Sequence, residues 1–163
     1  MKFFISGRPK VGKSTLIRKL IENLKGKWAA GFITPEIIEN GKRVGFYAIN
    51  ISTGEKIVFA HTSINGVRFG KYRVDVKSFE KLLEKIEKEV EKADVIIIDE
   101  IGKMEFLSKR FENFLDKIFS SDKPVIATLH RALIKKFEKY GDVIWLTEKN
   151  RNKIFEEILK KLT

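Results

Sequence analysis

Short apolar runs and longer amphipathic stretches alternate along this chain of 163 residues. The first run, residues 3–5, is typical of a buried strand. Behind it, apolar side chains recur at the spacing of a helix, at Leu16, Ile17, Leu20, Ile21 and Leu24. The chain therefore begins with a predicted strand, a loop and a helix.

The same alternation returns in the second half of the chain. Residues 77–92 carry one helical stripe, and the fully apolar run 95–98 suits a parallel strand that is covered on both faces. Further helices are predicted over 111–118, 133–140 and 152–162, and further strands over 125–129 and 143–146. Because strands and helices alternate, we predict an α/β fold of three layers with a mostly parallel sheet.

The segment between these halves has the period of strands. Residues 28–38 form a short apolar strand that is closed by Thr34-Pro35-Glu36. Residues 41–60 alternate around a turn at 52–54 and predict an inserted β-hairpin. Residues 66–76 have no helical period, and both a further short strand and an ordered loop are compatible with them.

Length and composition limit the class of protein. We expect a single domain over 1–163, because this length is enough to bury a core of its own. No apolar run approaches the ~20 residues of a membrane span, and we expect neither a membrane partner nor a signal peptide. The absence of cysteine excludes disulfides and thiolate metal sites. We expect a cytoplasmic monomer.

The chain is strongly basic, with 33 Lys and Arg against 22 Asp and Glu and a net charge of +11. A nucleic-acid surface is one interpretation. The lysines of residues 77–92 are interleaved with glutamates, however, which favours an ion-paired surface with a positive bias. Both interpretations predict electrostatic attraction of anionic nucleotides.

The loop between the first strand and the first helix matches a phosphate-binding pattern: Gly, four residues, then Gly-Lys-Ser/Thr. Backbone N–H groups of such a loop wrap a polyphosphate, and the following helix directs its positive dipole end at the anion. Lys13 is expected to reach the β- and γ-phosphates, and Ser14 to offer its hydroxyl to Mg²⁺. The strand and helix beside it argue against an ordinary surface turn. The predicted nucleotide-binding residues are Gly7, Arg8, Pro9, Lys10, Val11, Gly12, Lys13, Ser14 and Thr15.

A second set of candidate residues, Asp99 and Glu100, follows the apolar run 95–98. Ligands of open α/β sheets bind at the carboxyl ends of strands, where the loop from Gly7 also emerges. Asp99 is expected to hold Mg²⁺ opposite Ser14, and Glu100 to orient and deprotonate a water molecule. A helix cap or a solvated turn is the alternative explanation of an acidic pair here, and the phosphate loop favours the catalytic one.

Several stretches together resemble the thermophilic nucleoside-triphosphatase family, whose animal member is the cancer-related nucleoside-triphosphatase. The most specific stretch is VIIIDEIGKMEF at 95–106, and the resemblance extends to GRPKVGKST, GFITPEI, GKRVGF, GKYRVDV and TEKNR. It covers nearly the whole chain. It implies slow, Mg²⁺-dependent hydrolysis of nucleoside 5′-triphosphates, ATP and GTP among them, with broad base tolerance. It also implies a RecA-like sheet with strand 125–129 between the phosphate-loop strand and the Asp99 strand.

This implied strand order brings further residues towards the γ-phosphate. Thr128, His130 and Arg131 become candidates for sensing phosphate, holding water or stabilising charge. For His130, an ordinary surface histidine at a strand end is the favoured explanation. Arg151 lies in the late family motif and is a candidate contact of the base or the phosphates. Three residues in other family-like stretches are weaker candidates for the site: Glu36, Arg43 and Lys71.

Two positions depart from the family pattern. The family commonly has Gly where this chain has Lys10, so Lys10 must tolerate the local backbone. The family often has Arg where Ile38 stands, which removes a basic contact from that strand end.

Two other functions are compatible with a phosphate loop. A small nucleoside or nucleotide kinase usually carries an arginine-rich lid, but only Arg68 and Arg73 lie between the two motifs as a pair. A nucleic-acid-binding ATPase is expected to interleave basic and aromatic residues, which this chain does not do in a clear patch. Hydrolysis therefore remains the favoured prediction.

Overall fold

The computed structural model describes residues 1–163 and arranges ten strands in one sheet. The strands are β1 (Lys2–Gly7), β2 (Ala29–Ile33), β3 (Glu36–Glu39), β4 (Lys42–Asn50), β5 (Lys56–His61), β6 (Val67–Phe69), β7 (Tyr72–Val74), β8 (Val95–Ile101), β9 (Val125–Leu129) and β10 (Asp142–Leu146). The helices are α1 (Lys13–Glu22), α2 (Val76–Val90), α3 (Lys109–Phe119), α4 (Ile134–Phe137) and α5 (Arg151–Leu162). Three short 3₁₀ helices cover Glu105–Leu107, Arg131–Leu133 and Glu138–Tyr140.

Parallel strands make up the half of the sheet that carries the phosphate loop. Their order is β10-β1-β9-β8-β2, and every neighbouring pair is parallel. Strand β9 pairs with both β1 and β8, so the strand order implied by the family resemblance is confirmed. The carboxyl ends of β1, β8 and β9 consequently lie at one edge of the sheet.

Helices cover both faces of these parallel strands. One buried cluster packs α2 and α3 on one face, and a second packs α1 and α5 on the other. The stripe predicted within 77–92 is fully buried, at Phe79, Leu82, Leu83, Ile86 and Val90. Val95, Ile96, Ile97 and Ile98 are at most 2% exposed, as a strand between two helical layers requires. The predicted three-layer α/β fold is confirmed.

The inserted segment is larger than the predicted hairpin. The hairpin exists as β4 and β5, but β4 also pairs with β2 and β3, and β7 and β6 extend the sheet beyond β5. All these pairings are antiparallel. The three-residue strands β6 and β7, which Gly70 joins at a φ of 58°, are too short to show a strand period in the sequence.

Two other predicted elements are divided. The predicted strand 28–38 is two strands, β2 and β3, because Thr34 and Pro35 interrupt it. The predicted helix 133–140 is only the single turn α4 between two 3₁₀ helices. Phe137 is its only buried residue, which is too little apolar contact for a longer helix. No helix combines the length and the apolar character needed to span a membrane.

Candidate functional site

The predicted phosphate loop lies between β1 and α1, at the carboxyl edge of the parallel strands. Gly12 precedes the first helical residue with a φ of 106°, a value that side chains disfavour. A Cβ on Gly7 would lie 2.9 Å from the carbonyl oxygen of Leu146, so only glycine allows β10 to approach the loop this closely. The strand, loop and helix therefore have the expected arrangement.

Two lysines occupy different positions in this loop. Lys10 is exposed and has a φ of 64°, the left-handed conformation that glycine would adopt without strain. Lys13 is half-buried, and its Nζ donates to the carbonyl oxygen of Gly7 at 3.2 Å. Lys13 thus lies along the inside of its own loop.

Asp99 connects three neighbouring elements at the end of β8. Its carboxylate is 8% exposed, and Thr128 of β9 donates its hydroxyl to Oδ1 at 2.5 Å. The Ser14 side chain at the start of α1 lies near the same carboxylate and lowers its pKa. Burial raises the pKa of Asp99, while the bond from Thr128, the nearby Ser14 hydroxyl and the positive charges of Lys13 and Arg18 oppose that rise.

Glu100 lies at an irregularity in the sheet, where the pairing of β8 with β9 shifts between Ile98 and Ile101. Such shifts redirect side chains. Burial raises the pKa of Glu100, the negative charge of Asp99 raises it further, and the positive charge of Lys13 opposes both. Lys13 therefore interacts with both carboxylates, and the two sequence motifs meet at one place.

Cationic residues surround the loop after β9. Burial lowers the pKa of His130, and the positive charges of Lys13, Lys103 and Arg131 lower it further. His130 Nδ1 also accepts the backbone N–H of Ala132 at 3.1 Å. The structure thus brings His130 and Arg131 to the side of the site where Lys13 lies.

Arg151 contacts the phosphate loop from the outside. It is the first residue of α5, and its Nη1 donates to the carbonyl oxygen of Val11 at 3.3 Å. The same Nη1 lies 3.4 Å from the place that a Cβ on Gly12 would occupy. The structure therefore joins the late motif to the loop.

The weaker candidates on the insertion bond to one another. Arg43 Nε donates to the Tyr72 hydroxyl at 2.9 Å, and Arg43 Nη1 contacts Glu36 at 3.4 Å. Lys71 Nζ donates to the carbonyl oxygen of Arg43 at 3.1 Å. None of these bonds reaches the phosphate loop or Asp99. Ile38, in β3, is 54% exposed.

Sequence reasoning missed Glu105. This residue is 5% exposed, and its Oε2 accepts the backbone N–H of Gly102 at 3.0 Å. Burial raises the pKa of Glu105 to about 8, and the negative charges of Glu100 and Asp99 contribute to that rise. Because glutamate is usually exposed, only its place in the motif that follows Asp99 gave any signal.

The site suits a divalent cation with an affinity for oxygen. Ser14 and Asp99 offer a hydroxyl and a carboxylate side by side. No group of three or more His, Cys, Asp and Glu residues is arranged to hold a metal by itself. This donor set fits a cation that takes its other ligands from substrate phosphates and water.

The parallel strand order and the glycine-containing loop at its carboxyl edge define a P-loop protein with a RecA-like α/β fold. A sequence profile described as NTPase matches residues 2–159. The chain belongs to this NTPase family.

The similarity to named relatives and to solved structures extends over nearly the full length of this chain. Nucleoside-triphosphatase THEP1 of Methanocaldococcus jannaschii is 45% identical, over 99% of this chain and 97% of that protein. The Thermotoga maritima protein of the same name is 43% identical, over 99% and 95%. The crystal structure of THEP1 from Aquifex aeolicus matches with a TM-score of 0.85 at 36% identity, over 99% of both chains. The solution structure of a human cancer-related nucleoside triphosphatase matches with a TM-score of 0.78 at 30% identity, over 99% and 97%.

Proposed function

We propose that this protein hydrolyses nucleoside 5′-triphosphates to the diphosphate and inorganic phosphate. The observation that carries the proposal is the position of Lys13, which interacts with both Asp99 and Glu100 at the mouth of the phosphate loop. A cation for phosphate and a carboxylate for water are thereby placed together. The relatives named nucleoside-triphosphatase support the same reaction.

The loop binds the triphosphate. Backbone N–H groups of residues 7–15 surround the phosphates, and α1 directs its positive dipole end at them. Lys13 leaves its bond to the Gly7 carbonyl and neutralises charge on the β- and γ-phosphates. The net charge of +11 attracts the anionic substrate.

At the site described above, the Ser14 hydroxyl and the Asp99 carboxylate would hold Mg²⁺. The bound ion supplies further neutralisation of the phosphate charge. The Thr128 hydroxyl keeps the Asp99 carboxylate oriented at the end of β8.

Glu100 orients a water molecule and accepts its proton while the water oxygen bonds to the γ-phosphorus. The bond to the β,γ-bridging oxygen breaks, and that oxygen leaves with the diphosphate. Because burial and Asp99 raise the pKa of Glu100, it is a stronger base than an exposed carboxylate. The positive charge of Lys13 opposes this rise in the pKa of Glu100.

The remaining predicted residues have supporting roles in this proposal. His130 and Arg131 contribute donors and positive charge on the γ-phosphate side, consistent with their proximity to Lys13. Arg151 supports the loop through the Val11 carbonyl and contacts the nucleotide from there.

Broad base tolerance follows from these assignments, because most of the proposed groups contact phosphate and only Arg151 is a candidate for the base. Weak positioning of the water, or the lack of an arginine supplied by a partner, would account for the slow turnover that we propose. The cytoplasmic location and the monomeric state stay predictions from the sequence.

The test is a panel of phosphate-release assays with ATP, GTP, CTP and UTP, with and without Mg²⁺. We expect free phosphate from all four in Mg²⁺ and almost none in EDTA. Added nucleosides distinguish a kinase, which would transfer the phosphoryl group to them. Added RNA distinguishes a nucleic-acid-dependent ATPase, which would be stimulated in a salt-sensitive way. Transfer to a nucleoside without phosphate release would contradict the proposal.

A further inference from the structure

A buried carboxyl group lies directly behind the proposed catalytic base. Glu105 begins the 3₁₀ helix that follows β8, and its side chain folds back towards the end of that strand. It is almost fully buried and forms no ion pair with Lys or Arg, although burying a carboxyl group in this way is costly. Burial at such a cost points to a role for the Glu105 carboxyl group.

The contacts of Glu105 centre on Gly102, two residues after Glu100. Its Oε2 accepts the Gly102 N–H at 3.0 Å and so fixes the turn that leaves β8. A Cβ placed on Gly102 would lie 2.9 Å from Glu105 Oε2 and 3.2 Å from Glu100 Oε1. Both carboxyl groups therefore border the same small space beside Gly102.

Glu105 is mainly uncharged, which suits a position close to two other carboxyl groups. Its pKa of about 8 means that it is mainly uncharged at neutral pH. An uncharged carboxyl group accepts the Gly102 N–H without adding a third negative charge beside Asp99 and Glu100. That matters because the site must also admit a polyanionic substrate.

We propose that Glu105 is a positioning residue for the hydrolytic reaction: it fixes the Gly102 turn and confines the Glu100 carboxylate to the side that faces the water. This inference rests on the proposed role of Glu100 as the base. Because Glu105 forms no hydrogen bond or ion pair with the phosphate loop or α1, its effect is expected on turnover and not on nucleotide binding.

Two kinds of variant test this role. Glu105→Ala removes the acceptor, and kcat should fall by about 10- to 100-fold with nucleotide Kd within about threefold of the wild type. Glu105→Gln keeps an acceptor for the Gly102 N–H and remains uncharged, so it should recover most of the lost rate. Gly102→Ala keeps every charge but fills the space between the two carboxyl groups, and kcat should fall with Kd unchanged.

Asn50→Ala is the matched control for lost stability. Asn50 is fully buried and bonds Glu89 and the turn at Ser52, away from the proposed machinery. It should lower the melting temperature and leave kcat unchanged at a temperature where the protein is folded. Circular dichroism establishes that each variant is folded before it is assayed.

The closing experiment measures kcat and Kd for these variants and for Glu100→Gln in one series. Wild-type kcat in Glu105→Ala would overturn the inference, as would an equal loss in Glu105→Gln and Glu105→Ala. A parallel loss of affinity would also overturn it. If Glu100→Gln hydrolyses normally, the proposed function fails; if Glu100→Gln is inactive while Glu105→Ala is normal, only this inference fails.

Discussion

Thr128 donates its hydroxyl to the Asp99 carboxylate at 2.5 Å, and this bond joins the ends of β9 and β8 inside the site. Both residues are buried. Thr128 thus bonds the carboxylate proposed to hold the metal ion, and its role as a sensor of phosphate stays a prediction.

Thr128→Val removes the donor and keeps the shape of the side chain. The pKa of Asp99 should rise further, since the bond from Thr128 lowers it. Because a metal ligand must be ionised, we expect the Mg²⁺ concentration for half-maximal hydrolysis to rise about tenfold. Thr128→Ser retains the hydroxyl and is the control. An unchanged Mg²⁺ requirement in Thr128→Val would show that the bond does not support the metal site.

Lys13→Ala should lose nucleotide affinity and turnover together, because Lys13 contributes to binding and interacts with both carboxylates. We expect a fall of at least about 100-fold in kcat/KM, measured by phosphate release, with fluorescence titration of a labelled nucleotide for Kd. Lys19→Ala, a charge-matched change further along α1, should change neither by more than about twofold. Equal effects of the two variants would point to general electrostatic attraction.

Substitutions at Lys10 test whether the backbone of the phosphate loop is strained at this position. Lys10→Gly should raise the free energy of unfolding by about 0.5 to 1 kcal/mol, because glycine adopts a φ of 64° without strain. Lys10→Asn tolerates the same backbone and removes the charge. Chemical denaturation gives the stabilities and titration gives nucleotide Kd. If nucleotide Kd rises equally in both variants, the charge of Lys10 contributes to binding. If Lys10→Gly is less stable than the wild type, the backbone at Lys10 is not strained.

The pKa of Glu105 predicts a pH-dependent stability. In the folded protein Glu105 keeps its proton to about pH 8, whereas the unfolded chain loses it near 4.5. Between these values the unfolded state binds fewer protons, so rising pH destabilises the fold, by about 1.4 kcal/mol per unit for this group alone. The glutamine of Glu105→Gln has no proton to lose in this range, so this variant should not lose stability in this way.

Urea unfolding of wild type and Glu105→Gln at several pH values between 5 and 8, in EDTA, measures the difference. The stability of the wild type relative to Glu105→Gln should fall as pH rises through this window. A difference independent of pH would mean that Glu105 is ionised in the folded protein. The other titrating carboxyl groups are common to both proteins and cancel.

The sequence predicted the parallel half of the fold because each element there carries a clear period. The stripe from Phe79 to Val90 and the run from Val95 to Ile98 are buried as expected. The insertion was predicted incompletely, because β6 and β7 have three residues each and owe their conformation to pairing with distant strands. Such contacts leave no local pattern.

The candidate site was likewise predicted only in part. Gly7, Lys13 and Ser14 follow a fixed spacing, and Asp99 and Glu100 end an apolar strand, so the sequence locates them. Two features depended on tertiary structure: the bond from Thr128 to Asp99, and the burial of Glu105 beneath Gly102. Thr128 and Asp99 come from separate strands. The bond between Gly102 and Glu105 is local, but the burial of Glu105 depends on the elements that pack around this turn.

Activation of water by the Glu100 carboxylate is tested by Glu100→Gln. The substitution keeps the size of the side chain and removes its capacity to accept a proton. In a single experiment with radiolabelled ATP and Mg²⁺, filter binding measures bound nucleotide while released phosphate is counted. We predict binding within about threefold of the wild type and a fall in hydrolysis of at least about 100-fold. Wild-type phosphate release from Glu100→Gln would contradict the account.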